Sequence, residues 1–262
     1  MTVKTIMASV CLALGALTQS AWAENNDRAP AVGGTPPVEV GDGAIHGDFL
    51  KPYMNTFVYT VKFDDGRKIT QGLWSDLLQP TTFNGKPALR RVQGMTFVDG
   101  RMTSTVNIFD PDTLSPLFEE QRTAEGRDDK RTFAAGHMTS VHRSDSKAQL
   151  ETVEVNLEHP VYDFYGGMYA LLLSGLPLRA GYHGQIRSIN ERTDDISMVP
   201  FEVLRQDWVQ AGPLGKVRAW VVSTDIPGQY RMTAWVVKSA PYVLKLEATI
   251  PDRHAIASWD MI

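Results

Sequence analysis

The sequence predicts a mainly β protein: a curved antiparallel sheet or half-barrel with one packed helix near residues 163–175. Three observations lead there. From Tyr53 onward, apolar and polar residues alternate with period two in run after run. Turn signals such as Asp99-Gly100 separate those runs. One long apolar stretch, from Asp163 to Leu178, does not alternate, and it is the only such stretch after the first two dozen residues.

That stretch reads as the helix. Phe164, Met168, Leu171 and Gly175 recur at helical spacing, and so do Tyr165, Tyr169, Leu172 and Leu176. So wide a stripe predicts burial on more than one side. Asp163 is the expected N-cap, and Gly175 with Pro177 ends the helix, because proline lacks an N–H and its ring blocks continuation. An apolar run of about a dozen residues is too short for a bilayer, which needs roughly 20. Two roles are open to it: a core helix that closes the sheet, or a plug over an apolar cavity.

Met1 to Ala23 has the three parts of a secretory signal. Lys4 supplies the positive charge, Ile6 to Leu17 the apolar segment, and Ala21-Trp22-Ala23 the cleavage site. The expected location is therefore a bacterial periplasm. The only cysteine, Cys11, lies in the apolar segment, so the mature chain is expected to have neither disulfide nor thiol chemistry. Residues 24–48 are rich in Pro, Gly and Asn and read as a flexible leader. Residues 49–262 then form a single mainly β domain, and at 43% hydrophobic the chain can fill a sizeable core. The formal charge of −4, or −5 once Lys4 is removed, argues against nucleic acid, which wants a basic face.

The strands follow in order. Tyr53 to Phe63 turns through Asp64-Asp65-Gly66 into Lys68 to Leu73. Thr81 to Pro87 is a turn around Asn84-Gly85. Leu89 to Phe97 and Met102 to Phe109 flank Asp99-Gly100. Asp110-Pro111-Asp112-Thr113 turns because Pro111 presets φ and the Asp side chains bond local N–H groups. Pro116–Arg122, Lys130–Ala134, Met138–His142 and Leu150–Val155 precede the helix. After it come Tyr182–Ile189, Val199–Gln210, Val217–Thr224, Tyr230–Val237, Tyr242–Ile250 and Ala255–Met261.

No catalytic motif is present. There is no G-x-S-x-G, H-E-x-x-H or C-x-x-C, and no Gly-rich loop leads from a strand into a helix. The six histidines form no tight pair, so no metal site is expected. Arg90-Arg91 and Asp128-Asp129 read as solvated charges. The chain is expected to be no enzyme and to need no cofactor. A hydrolase with a non-standard site would require a carboxylate or histidine of strongly shifted pKa in a cleft, and the sequence gives no sign of one. The aromatics either fill the core or line an apolar pocket. In the second case Phe164, Met168, Leu172, Trp220 and Trp235 are the candidate ligand-binding residues.

The order of features resembles a family of exported bacterial proteins carrying a domain of unknown function. The resemblance rests on Asp110-x-x-Thr113-Leu114-x-Pro116, Phe133-Ala134-Ala135-Gly136, Asp163-Phe164, Leu171-Leu172 and Leu176-Pro177-Leu178 with Gly181-Tyr182. Met232-x-x-Trp235-Val236-Val237 and Pro241-Tyr242-Val243-Leu244-Lys245-Leu246 complete it. It implies a half-barrel similar in fold to periplasmic carriers of outer-membrane lipoproteins, which hold acyl chains between sheet and helices. It implies no catalytic residues. The function expected is non-enzymatic binding of a hydrophobic ligand, a lipid or lipid-linked molecule; the alternative is an envelope module that binds a partner protein.

Overall fold

The computed structural model describes residues 37–163, 168–190, 194–226, 230–250 and 254–262, with Tyr169 described by its backbone alone. The signal segment 1–23, the leader up to residue 36, Phe164 and the Pro227-Gly228 turn lie outside the described residues.

Fourteen strands are described: β1 (Tyr53–Phe63), β2 (Lys68–Phe83), β3 (Lys86–Phe97), β4 (Met102–Phe109), β5 (Pro116–Arg122), β6 (Asp128–Ala134), β7 (His137–Arg143) and β8 (Glu151–Asn156) precede the helix α1 (Tyr169–Gly175). Then come β9 (His183–Ile189), β10 (Ile196–Gln210), β11 (Lys216–Ile226), β12 (Tyr230–Val236), β13 (Val243–Ile250) and β14 (Ala255–Met261). All belong to one antiparallel sheet, in the order β8-β7-β6-β5-β4-β3-β2-β1-β14-β13-β12-β11-β10-β9. Two meanders are thus joined where the first strand pairs with the last, Tyr59 opposite Trp259. The edge strands β8 and β9 are neighbours in sequence, and the crossover between them carries α1.

Turn chemistry explains the meander. Asn84 and Gly85 both have positive φ, 49° and 75°, the mirror-image turn that matches strand twist. The β2–β3 hairpin is consequently longer and tighter than the alternation suggests, with β2 running to Phe83.

The sheet is open but strongly curled. Eleven strand spacings separate β6 from β9, on the order of 50 Å if the sheet were flat. Yet Arg131 of β6 bonds Asp194, just past β9, at 2.9 Å. Phe133, Met138, Leu157, Val161 and Ile189 also pack into one cluster across the same gap. Register shifts at Tyr59/Thr60, Ile108/Phe109, Val203/Arg205 and Trp235/Val236 bend the strands. Each such bulge adds local twist, which is how a sheet this wide can curl.

Within the curl lies α1, packed against β12 and β13. Ala170, Leu171, Leu172 and Leu173 are all buried, so the helix is enclosed on every side, as its wide stripe predicts. It is shorter than residues 163–175, and its N-cap is Met168 with no side-chain cap. Asp163 does not cap it: its carboxylate accepts a hydrogen bond from Asn107 Nδ2 on β4 at 2.7 Å. At the other end Leu176 is extended and Pro177 follows, as expected. There Lys238 Nζ donates to the Leu176 carbonyl at 2.6 Å, which caps the helix with a cation. No helix among the described residues is long and apolar enough to cross a membrane.

Packing begins at residue 37 among the described residues, earlier than residue 49. Residues 37–48, expected within a flexible leader, are packed. Val38 N donates to Gln185 O at 2.7 Å, and Gly47 N to Asp112 O at 2.7 Å. Ile45 is buried against Gly175, where a Cβ would come within 2.8 Å of Ile45 Cγ2. Three well-spaced apolar residues, Val38, Ile45 and Leu50, anchor this segment; they are too sparse to give a period.

Leu171→Ala is expected to cost about 2–5 kcal/mol, as for other fully buried leucines. Urea unfolding followed by tryptophan fluorescence measures it.

Candidate functional site

The inner face of the sheet is the candidate site, because the crossover and both side-chain closures lie against it. It has two unlike halves.

On β9–β14 and β1 the inner face is mainly apolar, with buried Asn55 and Thr224 among the exceptions. Leu246 faces Trp259, and Trp259 faces Tyr59, across adjacent strands. The Tyr59 and Trp259 rings stack at 4.7 Å, and Trp74 meets Trp259 edge-on at 5.7 Å. Such contacts add to the burial of the rings themselves.

From β2 to β7 a buried polar row runs along the inner face between apolar side chains such as Leu78, Leu89, Phe109 and Met138. Directly opposite one another across β3–β7 stand Arg91, Asn107, Glu119, Arg131 and Ser140, each 2% exposed or less. Arg91 makes a two-pronged bond to Asp76, Nε to Oδ1 at 2.8 Å and Nη2 to Oδ2 at 2.5 Å. The Tyr53 hydroxyl donates to the same carboxylate at 3.1 Å. Arg131 bonds Glu119 at 3.0 Å and Asp194 at 2.9 Å, while His142 stands 3.8 Å from Asp194. Burial raises the Tyr53 phenol pKa well above its ordinary value; Arg91 opposes the rise and Asp76 adds to it. Burial likewise raises that of Tyr162.

Two charged pairs read as solvated are corrected here. Arg91 is buried on Asp76, and Asp129 is 1% exposed within β6, with Arg127 Nε 2.6 Å away. Period-two parity puts Arg91 on the core side. The sequence does not show that an acid on the next strand awaits it.

Among the described residues, four buried atoms on the inner face have no protein hydrogen-bond partner: Asn107 Oδ1, Ser140 Oγ, Thr224 Oγ1 and Trp259 Nε1. A buried polar group left unmet costs about 1–3 kcal/mol, so such atoms normally face water or a guest molecule.

The sequence-derived ligand residues are not gathered in one place. Met168 and Leu172 are buried in the core. Trp220 pairs with Val236 and shares the inner face with Ala234 and Met232. Trp235 pairs with Val221 and Lys245, on the outer face, with Lys245 Nζ 4.9 Å from its ring centre. Phe164 lies outside the described residues. Sequence reasoning missed the Tyr59–Trp259 stack, because it joins the two ends of the chain. No group of three or more potential metal ligands occurs among the described residues.

An open antiparallel sheet curled around its own helix defines the class. Within it, the chain belongs to the family described as protein of unknown function (DUF3108), whose model matches residues 58–255. The chain is also similar to a solved β-barrel-like protein of domain of unknown function DUF1849 from Brucella abortus. The two are 13% identical over 81% of this chain and 96% of that one, with a TM-score of 0.44. No curated protein matches the chain significantly.

Asp194→Ala removes a buried carboxylate from Arg131 and is expected to cost about 3 kcal/mol, as for other broken buried pairs. The Arg131→Met/Asp194→Leu double variant should lose less than the sum of its single changes in urea melts.

The alkaline limb gives a separate test. The folded-state pKa values of Tyr53 and Tyr162 lie above the unfolded ones, so their contribution is complete below about pH 10 and lost as pH rises beyond it. Tyr53→Phe/Tyr162→Phe should flatten the loss of stability above pH 10 in circular dichroism melts.

Proposed function

We propose that the protein is an exported, non-catalytic periplasmic carrier of a hydrophobic ligand, a lipid or lipid-linked molecule. One observation carries this reading: the four unmet hydrogen-bonding atoms on a two-sided inner face. A ligand with an acyl or aromatic body and a polar group matches that face. Its body lies along the Tyr59–Trp259 side and its polar group meets the β3–β7 side. The secretory pattern of residues 1–23 supports the periplasmic location. The helix α1, with Met168 and Leu172 buried, lies within the curl, so entry of the ligand requires α1 to shift outward.

A second reading, an envelope interaction module, is favoured by a separate observation, the open edge of β8.

Native mass spectrometry of the protein purified from its own periplasm, with lipid extraction, tests the carrier reading. A lipid bound at near one-to-one is expected. A bare mass, together with no uptake of a fluorescent fatty-acid probe, overturns it and assigns the four atoms to internal water.

A further inference from the structure

The two edges of the sheet are treated differently. β9 is sealed. Val38 bonds it through its N–H to Gln185 O at 2.7 Å and accepts from Arg187 N at 3.2 Å. Tyr162 does the same further along, donating to Arg187 O at 2.9 Å and accepting from Ile189 N at 3.2 Å. β8 pairs with β7 alone among the described residues, and its backbone makes no other backbone bond there. Five of its six residues are exposed.

Open edges are commonly guarded by proline, by charged side chains, lysine above all, or by a bulge. Glu151-Thr152-Val153-Glu154-Val155-Asn156 contains no proline or lysine, and its register with β7 runs without a shift. Thr152, Val153 and Val155 are good strand formers. The edge is therefore competent to pair.

Its charge selects the partner. Glu151 and Glu154 are its only charged residues, with side chains 75% and 54% exposed. Hydrogen bonds from Thr139 and His137 hold the Glu154 carboxyl below the usual carboxylate range, so it stays ionised. A second copy is disfavoured. In two-fold antiparallel self-pairing centred on Val153, each Glu154 stands opposite the other copy's Thr152, which sets the two Glu154 side chains diagonal to one another. That diagonal spans about 7–8 Å between like charges. A strand with lysine or arginine at those positions gains what the second copy loses, roughly 0.2–1 kcal/mol per opposed pair.

We propose that the open edge of β8 takes an extended strand of another protein, one that carries lysine or arginine in register with Glu151 and Glu154. This rests on the interaction reading and is independent of the carrier reading. The partner adds a fifteenth strand through main-chain hydrogen bonds, and the two glutamates set its register.

The test uses the full chain in its own cells, with a photo-crosslinking residue at exposed Thr152. The expected result is one adduct whose cross-linked peptide is an extended segment bearing Lys or Arg. The adduct should fall at least tenfold in the Glu151→Lys/Glu154→Lys variant. Both changes are on exposed side chains, and unchanged thermal melting verifies the fold. Hydrogen exchange of the β8 amides should slow in the purified complex. No adduct at Thr152, or a homodimer adduct, overturns partner docking on this edge altogether. An adduct undiminished by charge reversal overturns only the basic chemistry assigned to the partner.

Discussion

The curl of the sheet depends on one buried cation. Arg131 bonds Glu119 on the next strand and Asp194 beyond β9, and only a curled sheet brings the latter within reach. With three charged groups nearly free of water, each partner is indispensable to the others. Hydrogen bonding between strands does not close the ring, since β8 and β9 do not pair. Side chains do so: the Arg131 trio on one side and the cluster around Met138 and Ile189 beside it. A closure made of side chains can be released without breaking a ladder. That distinguishes this architecture from a sealed barrel.

The division of the inner face follows from the same closure. The half built by β9–β14 and β1 is covered by α1 and by the segment around Ile45, and it is mainly apolar, with few polar groups such as Asn55 and Thr224. The other half carries ionised groups away from water, so acid and base meet across adjacent strands: Asp76 diagonal to Arg91, Glu119 directly opposite Arg131. Tyr242 ties the halves together. Its ring meets Tyr53 and Phe49 edge-on, while its hydroxyl accepts from Lys51 N and donates to Phe49 O. The early segment, the first strand and the hairpin before β13 are thereby held as one unit.

Much of the fold was legible in the sequence, for local reasons. Period-two runs and Asp-Gly or Asn-Gly turns gave nearly every strand, because hairpin meanders are built from neighbours. The helix was legible as an apolar run without alternation, although Asp163 proved to serve Asn107 instead of its N-terminus. The site was less legible. Trp220 and Trp235 sit on adjacent strands, yet register parity sends them to opposite faces. Arg91 and Asp129 look like surface charges until their partners are known, and those partners are fixed by tertiary contact. Tyr59 and Trp259 are two hundred residues apart, and no periodicity announces their stacking.

The pairing of β1 with β14 bears on the order of folding. The middle of the sheet consists of the earliest and latest strands, so its central ladder cannot form until the last residues are available. Closing a loop of nearly the whole chain is slow, and contacts of such long range delay the rate-limiting step. Each meander can assemble on its own beforehand, but an incomplete chain is left with two half-sheets whose innermost edges are unzipped. The molecule is in this sense a ring read from its seam: the strand that starts it is also the strand that must wait longest for its neighbour.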